Sequence, residues 1–388
     1  MKLTKLSLVA ALAVSSAFAG GDIVPVEPVV EAPVAAEACN SNTTISGKLQ
    51  GYYYTDDTVD LFDEESSNLG TAVTLNVNHK FTDNIAMNFG AVGFANVLDD
   101  GIFSGIGQYM EQEKSGAFVN VANITATFAD TTLILGRQLL DTPMLGGFDW
   151  LLAPGAFEAY TVANGSIENL TLVGSYVRTW RQNNTGDEWI DLTDIGEDGH
   201  NWTVGAAYDN KTISGSVWYY NVDALDYGQV YADAGYNFEV AQIAGQYIYT
   251  DYNAAEASTA FGAKVSGTFG GFGLMAAYNN VADNVTGYVG RDTLYTSSWN
   301  TFTSNVMGNS FKVEASGEFV GLTAAASYAY YEYDQNAIAG LEDDGQEIDV
   351  ILGYGITNCI SVDAIYSNTD YGEGDDTNAL ELIATYKF

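Results

Sequence analysis

Residues 311–319 read Phe-Lys-Val-Glu-Ala-Ser-Gly-Glu-Phe, and their pattern recurs along most of the chain. Apolar or small residues occupy every second position, and charged or hydroxyl residues occupy the positions between them. Successive side chains of a β-strand point to opposite faces of a sheet, so this period of two predicts a strand with one apolar and one polar face. Residues 45–54, 347–354 and 380–388 alternate in the same way. The repetition favours an all-β fold.

The alternating segments number eighteen, with sixteen as the alternative strand count. An even number of short alternating strands is typical of barrels that span the bacterial outer membrane. The segments begin near Ile45, Thr71, Ile85, Ala117, Thr132, Phe157, Leu170, Asn201, Ile213, Val230, Ala241, Ala260, Phe272, Ser310, Leu322, Glu347, Ile360 and Leu380.

The connections between these segments alternate in length. Short turns are expected at 82–84, 130–131, 209–211, 270–271, 320–321 and 357–358, and long polar stretches lie between them. Outer-membrane barrels have short periplasmic turns and long extracellular loops, and closure leaves no strand edge unpaired in lipid. We therefore predict a transmembrane antiparallel β-barrel; a soluble all-β protein is the alternative.

The N-terminal residues have the features of an export signal. Residues 1–19 combine two lysines, an apolar stretch and Ala17-Phe18-Ala19 as a small-residue cleavage site. Residues 20–44, rich in proline, valine and glutamate, are interpreted as a periplasmic tether, and residues 45–388 as the barrel. After residue 19 no apolar run approaches the roughly 20 residues that a membrane-spanning helix requires.

The composition excludes several classes of protein. The 388 residues are 47% apolar and 13% aromatic, which argues against disorder, and two cysteines are too few for a disulfide-rich scaffold. Fifty acidic residues against thirteen basic ones give a net charge of −37. Nucleic acid is a poor partner for such a chain, because an anionic protein cannot replace the counterions of a phosphate backbone.

Four stretches carry a resemblance to known families. Residues 1–13, Asn164-Gly-Ser-Ile-Glu-Asn-Leu-Thr-Leu172 and Thr385-Tyr-Lys-Phe388 resemble the major outer membrane porins of epsilon-class proteobacteria. Residues 135–144, Leu-Gly-Arg-Gln-Leu-Leu-Asp-Thr-Pro-Met, are similar to a strand-and-loop motif of the porin D family. The resemblance implies an eighteen-stranded barrel, commonly a homotrimer, whose terminal phenylalanine is read by the barrel-assembly machinery.

One departure from the porin D pattern affects the expected substrate. Porin D channels resemble one another in a ladder of arginines that guides carboxylate solutes. After residue 19 this chain has only four arginines, which are Arg137, Arg178, Arg181 and Arg291. Specificity for carboxylates is therefore not expected.

Charged residues on the polar faces of the strands are the candidates for the pore wall. A lysine or arginine that faces lipid near the bilayer midplane costs about 2–4 kcal/mol. An inward position is therefore predicted, and the alternative is that some of these residues lie near strand ends in headgroup water. The predicted pore-lining residues are Lys48, Arg137, Asp233, Lys264, Lys312, Glu314, Glu318, Asp349, Asp363, Glu381 and Lys387.

Residues 139–157 are unusually apolar for an outer loop and include Met144, Leu145 and Trp150. Such a segment would be unfavourable in water, so we expect it to fold inward as a constriction. Asp141 and Asp149 would then present charge there together with Arg137. A contact between subunits of the trimer is the alternative.

Acidic residues cluster in the outer loops, within residues 56–65, 187–198, 342–344 and 373–376. A mouth lined by one sign of charge concentrates counter-ions, so small cations should enter more readily than anions. No cofactor or metal is expected, because solvated acidic loops are the favoured interpretation. Binding of Ca²⁺ or Mg²⁺ at these loops is the alternative, although no full ligand loop is present.

The two cysteines are predicted to form a disulfide. Cys39 precedes the first strand and Cys359 lies in a short turn, so both belong on the periplasmic side, which is oxidising. In a closed barrel the first and last strands are neighbours, and a flexible tether spans the remaining distance.

The sequence thus predicts a passive outer-membrane channel for ions and small hydrophilic solutes that prefers cations. A substrate-specific uptake channel and a structural or adhesive surface barrel are the alternatives. An enzyme is not expected, because His79 and His200 belong to opposite ends of their strands. The expected partners are outer-membrane lipid, lipopolysaccharide, two further copies of the chain and the assembly machinery.

Overall fold

A computed structural model describes residues 42–97, 110–111, 115–147, 151–333, 344–372 and 375–388. Its strands are β1 (Thr43–Asp56), β2 (Ser67–Lys80), β3 (Ile85–Asn96), β4 (Gly116–Phe128), β5 (Thr131–Gln138), β6 (Asp141–Thr142), β7 (Leu145–Gly146), β8 (Ala156–Ile167), β9 (Leu170–Arg181), β10 (Ile190–Asp191), β11 (Asn201–Asp209), β12 (Ile213–Val222), β13 (Tyr227–Asn237), β14 (Ala241–Tyr252), β15 (Ser258–Phe269), β16 (Phe272–Ala282), β17 (Gly308–Phe319), β18 (Leu322–Tyr333), β19 (Gly345–Thr357), β20 (Ile360–Asp370) and β21 (Thr377–Lys387). Short 3-10 helices lie at Glu64–Ser66, Asp223–Leu225 and Thr303–Asn305. No helix within these described ranges is both long and apolar enough to cross a membrane.

Eighteen strands form the wall of a closed antiparallel barrel. Each wall strand pairs with the next along the chain, and β1 pairs with β21 to close the cylinder. Every predicted segment begins within four residues of one of these strands, so the count of eighteen is confirmed and sixteen is wrong. The strands β6, β7 and β10 were not predicted, because pairs of residues carry no recognisable period. They belong to connections rather than to the wall.

The alternation of side chains places the apolar row outside. Phe311 and Val313 on β17 are 45% and 53% exposed, whereas Lys312 between them is 1% exposed. On β19, Ile348 and Leu352 are likewise exposed while Asp349 is fully buried. The outward row is therefore suited to hydrocarbon, and the polar row faces the interior.

The connections sort by length at the two ends of the barrel. Those at one end span two to four residues, such as 129–130, 270–271 and 320–321. Most connections at the other end are long, but 223–226 and 253–257 are short, so the predicted strict alternation holds with two exceptions. In outer-membrane barrels the end with short turns is the periplasmic one.

Candidate functional site

The first inward loop, described for residues 139–147 and 151–155, leaves the wall after β5 and lies in the barrel interior. Met144 and Leu145 are 1% and 2% exposed, and the Met144 amide donates to the Tyr220 hydroxyl at 3.2 Å. Farther along the same loop, Leu151 and Leu152 are buried in a cluster that includes Tyr52 of β1. The described apolar residues of this loop thus cover two separate areas of the inner wall.

Residues 283–307, the second inward loop, connect β16 to β17 and also fold into the barrel. Because these residues are mainly polar, their sequence predicts an ordinary outer loop. The Trp299 indole N–H donates to the Glu381 carboxylate at 2.6 Å, and the Asn300 backbone N–H donates to the Glu347 carboxylate at 2.7 Å. The Lys312 ammonium donates to the Ser297 carbonyl at 2.6 Å. Wall charges therefore fix this loop against β17, β19 and β21.

The two inward loops contact each other inside the barrel. The Gly146 amide donates to the Val289 carbonyl at 3.0 Å, and the Val289 amide donates to the Met144 carbonyl at 2.9 Å. Next to this pairing, the Arg291 guanidinium forms an ion pair with the Asp141 carboxylate. Asp141, predicted to present charge at the constriction, is thus paired with an arginine of the other loop. Its predicted companion Asp149 lies outside the described residues.

Three predicted wall residues are covered by the second inward loop. Lys312 and Glu381 are 1% exposed, and Asp349 is 0% exposed. Glu347 is equally buried, and sequence reasoning missed it although it shares the inward face of β19 with Asp349. These side chains hold the loop in place, and water in the lumen does not reach them directly.

Other predicted wall residues are only partly buried. Asp233 accepts a hydrogen bond from the Ser216 hydroxyl, and the Lys264 ammonium lies 4.4 Å from the centre of the Tyr295 ring. Glu314 and Asp363 are half-buried on inward faces of β17 and β20.

The remaining predicted wall residues lie towards strand ends. Lys48 and Lys387 are directly opposite each other where β1 pairs with β21, and both are half-buried. Glu318 is exposed near the short turn that follows β17. Their positions put them at the periplasmic mouth rather than in mid-barrel.

Arg137 lies at the long-loop end of β5 in the motif that resembles porin D. The strand register places it on the face of Leu135, which is 46% exposed, and not on the inward face of Gln138, contrary to the predicted pore-lining position. The Arg137 guanidinium is 4.3 Å from the Trp189 ring centre, and one of its N–H groups donates to the Val119 carbonyl at 3.2 Å. The preceding Gly136 has φ of +119°, and a Cβ there would lie 2.3 Å from the Ala122 carbonyl oxygen. Only glycine fits that position, which explains the glycine of the motif.

A buried ion pair joins several outer segments above the barrel. The Arg181 and Glu111 side chains are both fully buried and in contact, and Arg181 also donates to the Pro154 carbonyl at 2.9 Å. Glu111 accepts from the Gly186 amide at 2.9 Å. Burial raises the pKa of Glu111, and the nearby guanidinium partly opposes that shift. In the second inward loop, burial likewise raises the pKa of Asp292.

The cysteines and histidines occupy separate places. Cys359 is half-buried in the short turn before β20 and forms no disulfide with any described residue, whereas Cys39 lies outside the described ranges. His79 contacts Thr43 near the short-turn end, and His200 contacts Tyr176 near the long-loop end. In the part of the chain that is described, no three His, Cys, Asp or Glu side chains form a metal site.

The family follows from a comparison of the sequence with protein-family models. The model of the Campylobacter major outer membrane protein matches residues 1–372. The chain belongs to this family. Its barrel is accordingly an outer-membrane porin, and the resemblance inferred from the four sequence stretches is confirmed. No curated protein matches the chain by sequence.

Solved structures with similar barrels support the same fold. OccK9 (OpdG) of Pseudomonas aeruginosa is 19% identical with a TM-score of 0.74, and the match covers 89% of this chain and 98% of that chain. OpdK of P. aeruginosa, solved with vanillate, is 16% identical with a TM-score of 0.75 and the same coverages. A BenF-like porin of Pseudomonas fluorescens Pf-5 is 15% identical, also with a TM-score of 0.75 and these coverages. Family and fold together are those of a channel rather than an enzyme.

Proposed function

We propose that this major outer membrane protein is a passive diffusion channel that sieves small hydrophilic solutes and prefers cations. The observation that carries the proposal is the pair of inward loops joined across the interior, because they narrow a barrel that would otherwise be wide. Sieving needs no energy input, since the solute follows its own concentration gradient. No catalytic step is part of this function.

The cation preference rests on the balance of charge. Among the inward charges that the second inward loop does not cover, the acids Asp233, Glu314 and Asp363 are matched by the lysines Lys48, Lys264 and Lys387. The excess of negative charge therefore comes from the acidic outer loops, which contribute to the net charge of −37. Such a field raises the local concentration of cations, over a range that salt screening limits to about 8 Å under physiological conditions.

Planar-bilayer recording of the purified protein in a potassium chloride gradient tests this function. We expect stepwise conductance and a reversal potential displaced towards the equilibrium potential of potassium. A reversal potential displaced towards that of chloride would overturn the cation preference, and absence of conductance would favour a structural or adhesive barrel.

A substrate-specific uptake channel is the second candidate, and the motif at residues 135–144 favours it. Its Arg137 lies at the long-loop end of the wall next to Trp189. Conductance that saturates with one class of solute, and not with others, would support specific uptake over general diffusion.

We further propose that residues 1–19 are removed on export and that residues 20–44 form a periplasmic tether. A homotrimer, contact with lipopolysaccharide and insertion by the barrel-assembly machinery complete the proposed setting. The tether would bring Cys39 to Cys359 for a disulfide. Mass mapping of non-reduced peptides that finds two free thiols would discard that bond.

A further inference from the structure

We infer that the lumen has two chemically distinct walls, and that uncharged solutes bearing hydroxyl or amide groups cross along one while ions follow the other. This inference rests on the proposed diffusion function and adds a solute class to it. The first surface, the amide wall, consists of the inward side chains Asn78, Asn88, Asn123, Thr125 and Thr127 on β2 to β4. The second, the charged wall, consists of Asp233, Lys264, Glu314 and Asp363 on β13 to β20.

Four of the five side chains of the amide wall form a hydrogen-bonded chain. The Asn78 amide donates to the Asn88 oxygen at 2.6 Å, and the Asn88 amide donates to the Asn123 oxygen at 2.8 Å and to the Thr125 hydroxyl at 2.9 Å. Thr127 shares a further hydrogen bond of 3.0 Å with Thr132 of β5. These mutual bonds hold the donors and acceptors at fixed positions.

The orientation of this array follows from its neighbours. Met87 and Phe89 flank Asn88 along β3 and are 42% and 38% exposed on the outer surface, so Asn88 points inward. Asn88 and Thr125 are nevertheless only half-buried, which leaves part of each side chain open to the lumen.

Charge is absent from the middle of this side of the barrel. The wall strands β2 to β5, β8, β9, β11 and β12 are described throughout, and their acidic and basic residues lie only near strand ends. Those towards the short turns are His79, Lys80 and Asp209, and those towards the long loops are Arg137, Glu158, Arg178 and Arg181. The charged residues of mid-barrel all lie on the opposite arc.

This division separates solutes by their hydration. Fixed charges orient and hold water, so an uncharged solute that approaches the charged wall must displace strongly bound water. Beside the amide wall, a solute hydroxyl exchanges hydrogen bonds with water for similar bonds with asparagine and threonine, at little net cost. Because asparagine carries both donors and an acceptor, it matches groups that also have both. An ion gains nothing comparable there and is attracted to the charges opposite.

Matched substitutions on the two walls test the inference. Thr125→Val keeps the shape of the side chain but removes its hydroxyl, and Asn88→Leu removes an amide of similar size. Asp363→Asn removes one charge from the other wall. Each purified variant is inserted into liposomes for swelling assays with arabinose and into planar bilayers for the potassium-to-chloride permeability ratio, after circular dichroism confirms its strand content.

The two walls should respond separately. We expect Thr125→Val and Asn88→Leu to lower the rate of arabinose swelling by about two- to tenfold, which corresponds to the net contribution of one hydrogen bond. The potassium-to-chloride permeability ratio should stay unchanged in both variants. Asp363→Asn should lower the permeability ratio and leave arabinose swelling unchanged. If all variants conduct but change both quantities together, or the amide-wall variants leave swelling unchanged, the inference is wrong while the channel function stands. If the unmodified protein passes neither arabinose nor ions, the channel function itself fails.

Discussion

Arg181 and Glu111 illustrate how single residues secure the outer part of the protein. Both side chains are fully buried, and the guanidinium also stacks on the Phe118 ring at 3.8 Å. Removal of one partner leaves the other as an uncompensated buried charge, which typically costs about 3–5 kcal/mol. The pair therefore matters more for stability than an ion pair on the surface.

We predict that Arg181→Met destabilises the protein by roughly 3–5 kcal/mol at pH 8 and by less at pH 5. Burial already raises the pKa of Glu111, and loss of the guanidinium raises that pKa further. When the folded-state pKa of a carboxyl group is raised, its contribution to the free energy of unfolding is fully present at low pH. That contribution is lost as pH rises through the folded-state pKa. Thermal unfolding in detergent at the two pH values measures the difference.

Arg178→Met is the matched control, because its pair with Glu158 is 41% and 27% exposed. An exposed pair contributes little to stability because water and salt screen it, so little change is expected at either pH. Equal losses in the two variants would contradict the role given to Arg181.

Trp299 provides a second residue-scale prediction. Its indole N–H and the Tyr52 hydroxyl both donate to the buried Glu381 carboxylate, at 2.6 Å and 2.5 Å. Trp299→Phe removes one donor and should cost roughly 1.5–3 kcal/mol, the usual contribution of a hydrogen bond to a charged group. Denaturant unfolding measures the loss. The control Trp202→Phe alters an indole that packs on Tyr219, and an equal loss there would argue against the Glu381 contact.

At this scale the sequence predicted the inward side for Asp349 and Glu381, because strand alternation fixes the face of a residue. It could not predict that Lys312, Asp349 and Glu381 are covered by a loop, because their partners Ser297 and Trp299 carry no periodic pattern. Glu347 was not among the predicted pore-lining residues, although its alternation with the apolar Ile348 already placed it on the inward face.

The turn at residues 320–321 allows a prediction at the scale of an element. Val320 has φ of +53°, a conformation that is costly for a β-branched residue, and its side chain is 83% exposed. Val320→Asn creates an Asn-Gly turn, the combination that tight hairpins favour, and should stabilise the protein by about 1 kcal/mol.

Comparison of thermal midpoints with Val240→Asn checks this prediction. Val240 is 62% exposed in the short turn 238–240 but is not among the residues with positive φ. The control should therefore gain nothing. A similar gain in both variants would show that lost surface hydrophobicity, and not relief of strain, is responsible.

The junction of the two inward loops gives the second prediction at this scale. The variants Asp141→Asn and Arg291→Gln each break the ion pair that joins the loops. We expect larger and noisier single-channel currents from both, and a coupling energy of roughly 0.5–3 kcal/mol in a double-mutant cycle of unfolding. Additive effects on stability together with unchanged currents would show that the ion pair does not hold the loops.

Element by element, the strands were predictable and the interior loops were predictable only in part. The inward position of residues 139–157 was predictable because their apolar side chains would be unfavourable in water. Residues 283–307 carried no such signal, because their polar groups, backbone included, are hydrogen-bonded to wall residues such as Glu347 and Lys312, and the sequence does not reveal such contacts.

For the whole molecule, closure of the barrel determines where charge can be placed. Alternation places the polar row of each strand inward. The positions of charged residues and amides around the lumen therefore follow from which strands carry them. The charges of mid-barrel lie on β13 to β21, and the amide wall lies on β2 to β4. The distribution of solutes across the lumen is therefore a property of the strand order as well as of single residues.

The most direct test of the account is the influx of neutral sugars of increasing size into liposomes that contain the purified protein. A passive barrel narrowed by two inward loops predicts rapid entry of a pentose, slower entry of a disaccharide and exclusion of larger oligosaccharides. The rates should not change when a membrane potential is applied. Influx no faster than in protein-free liposomes, or influx independent of sugar size, would contradict it.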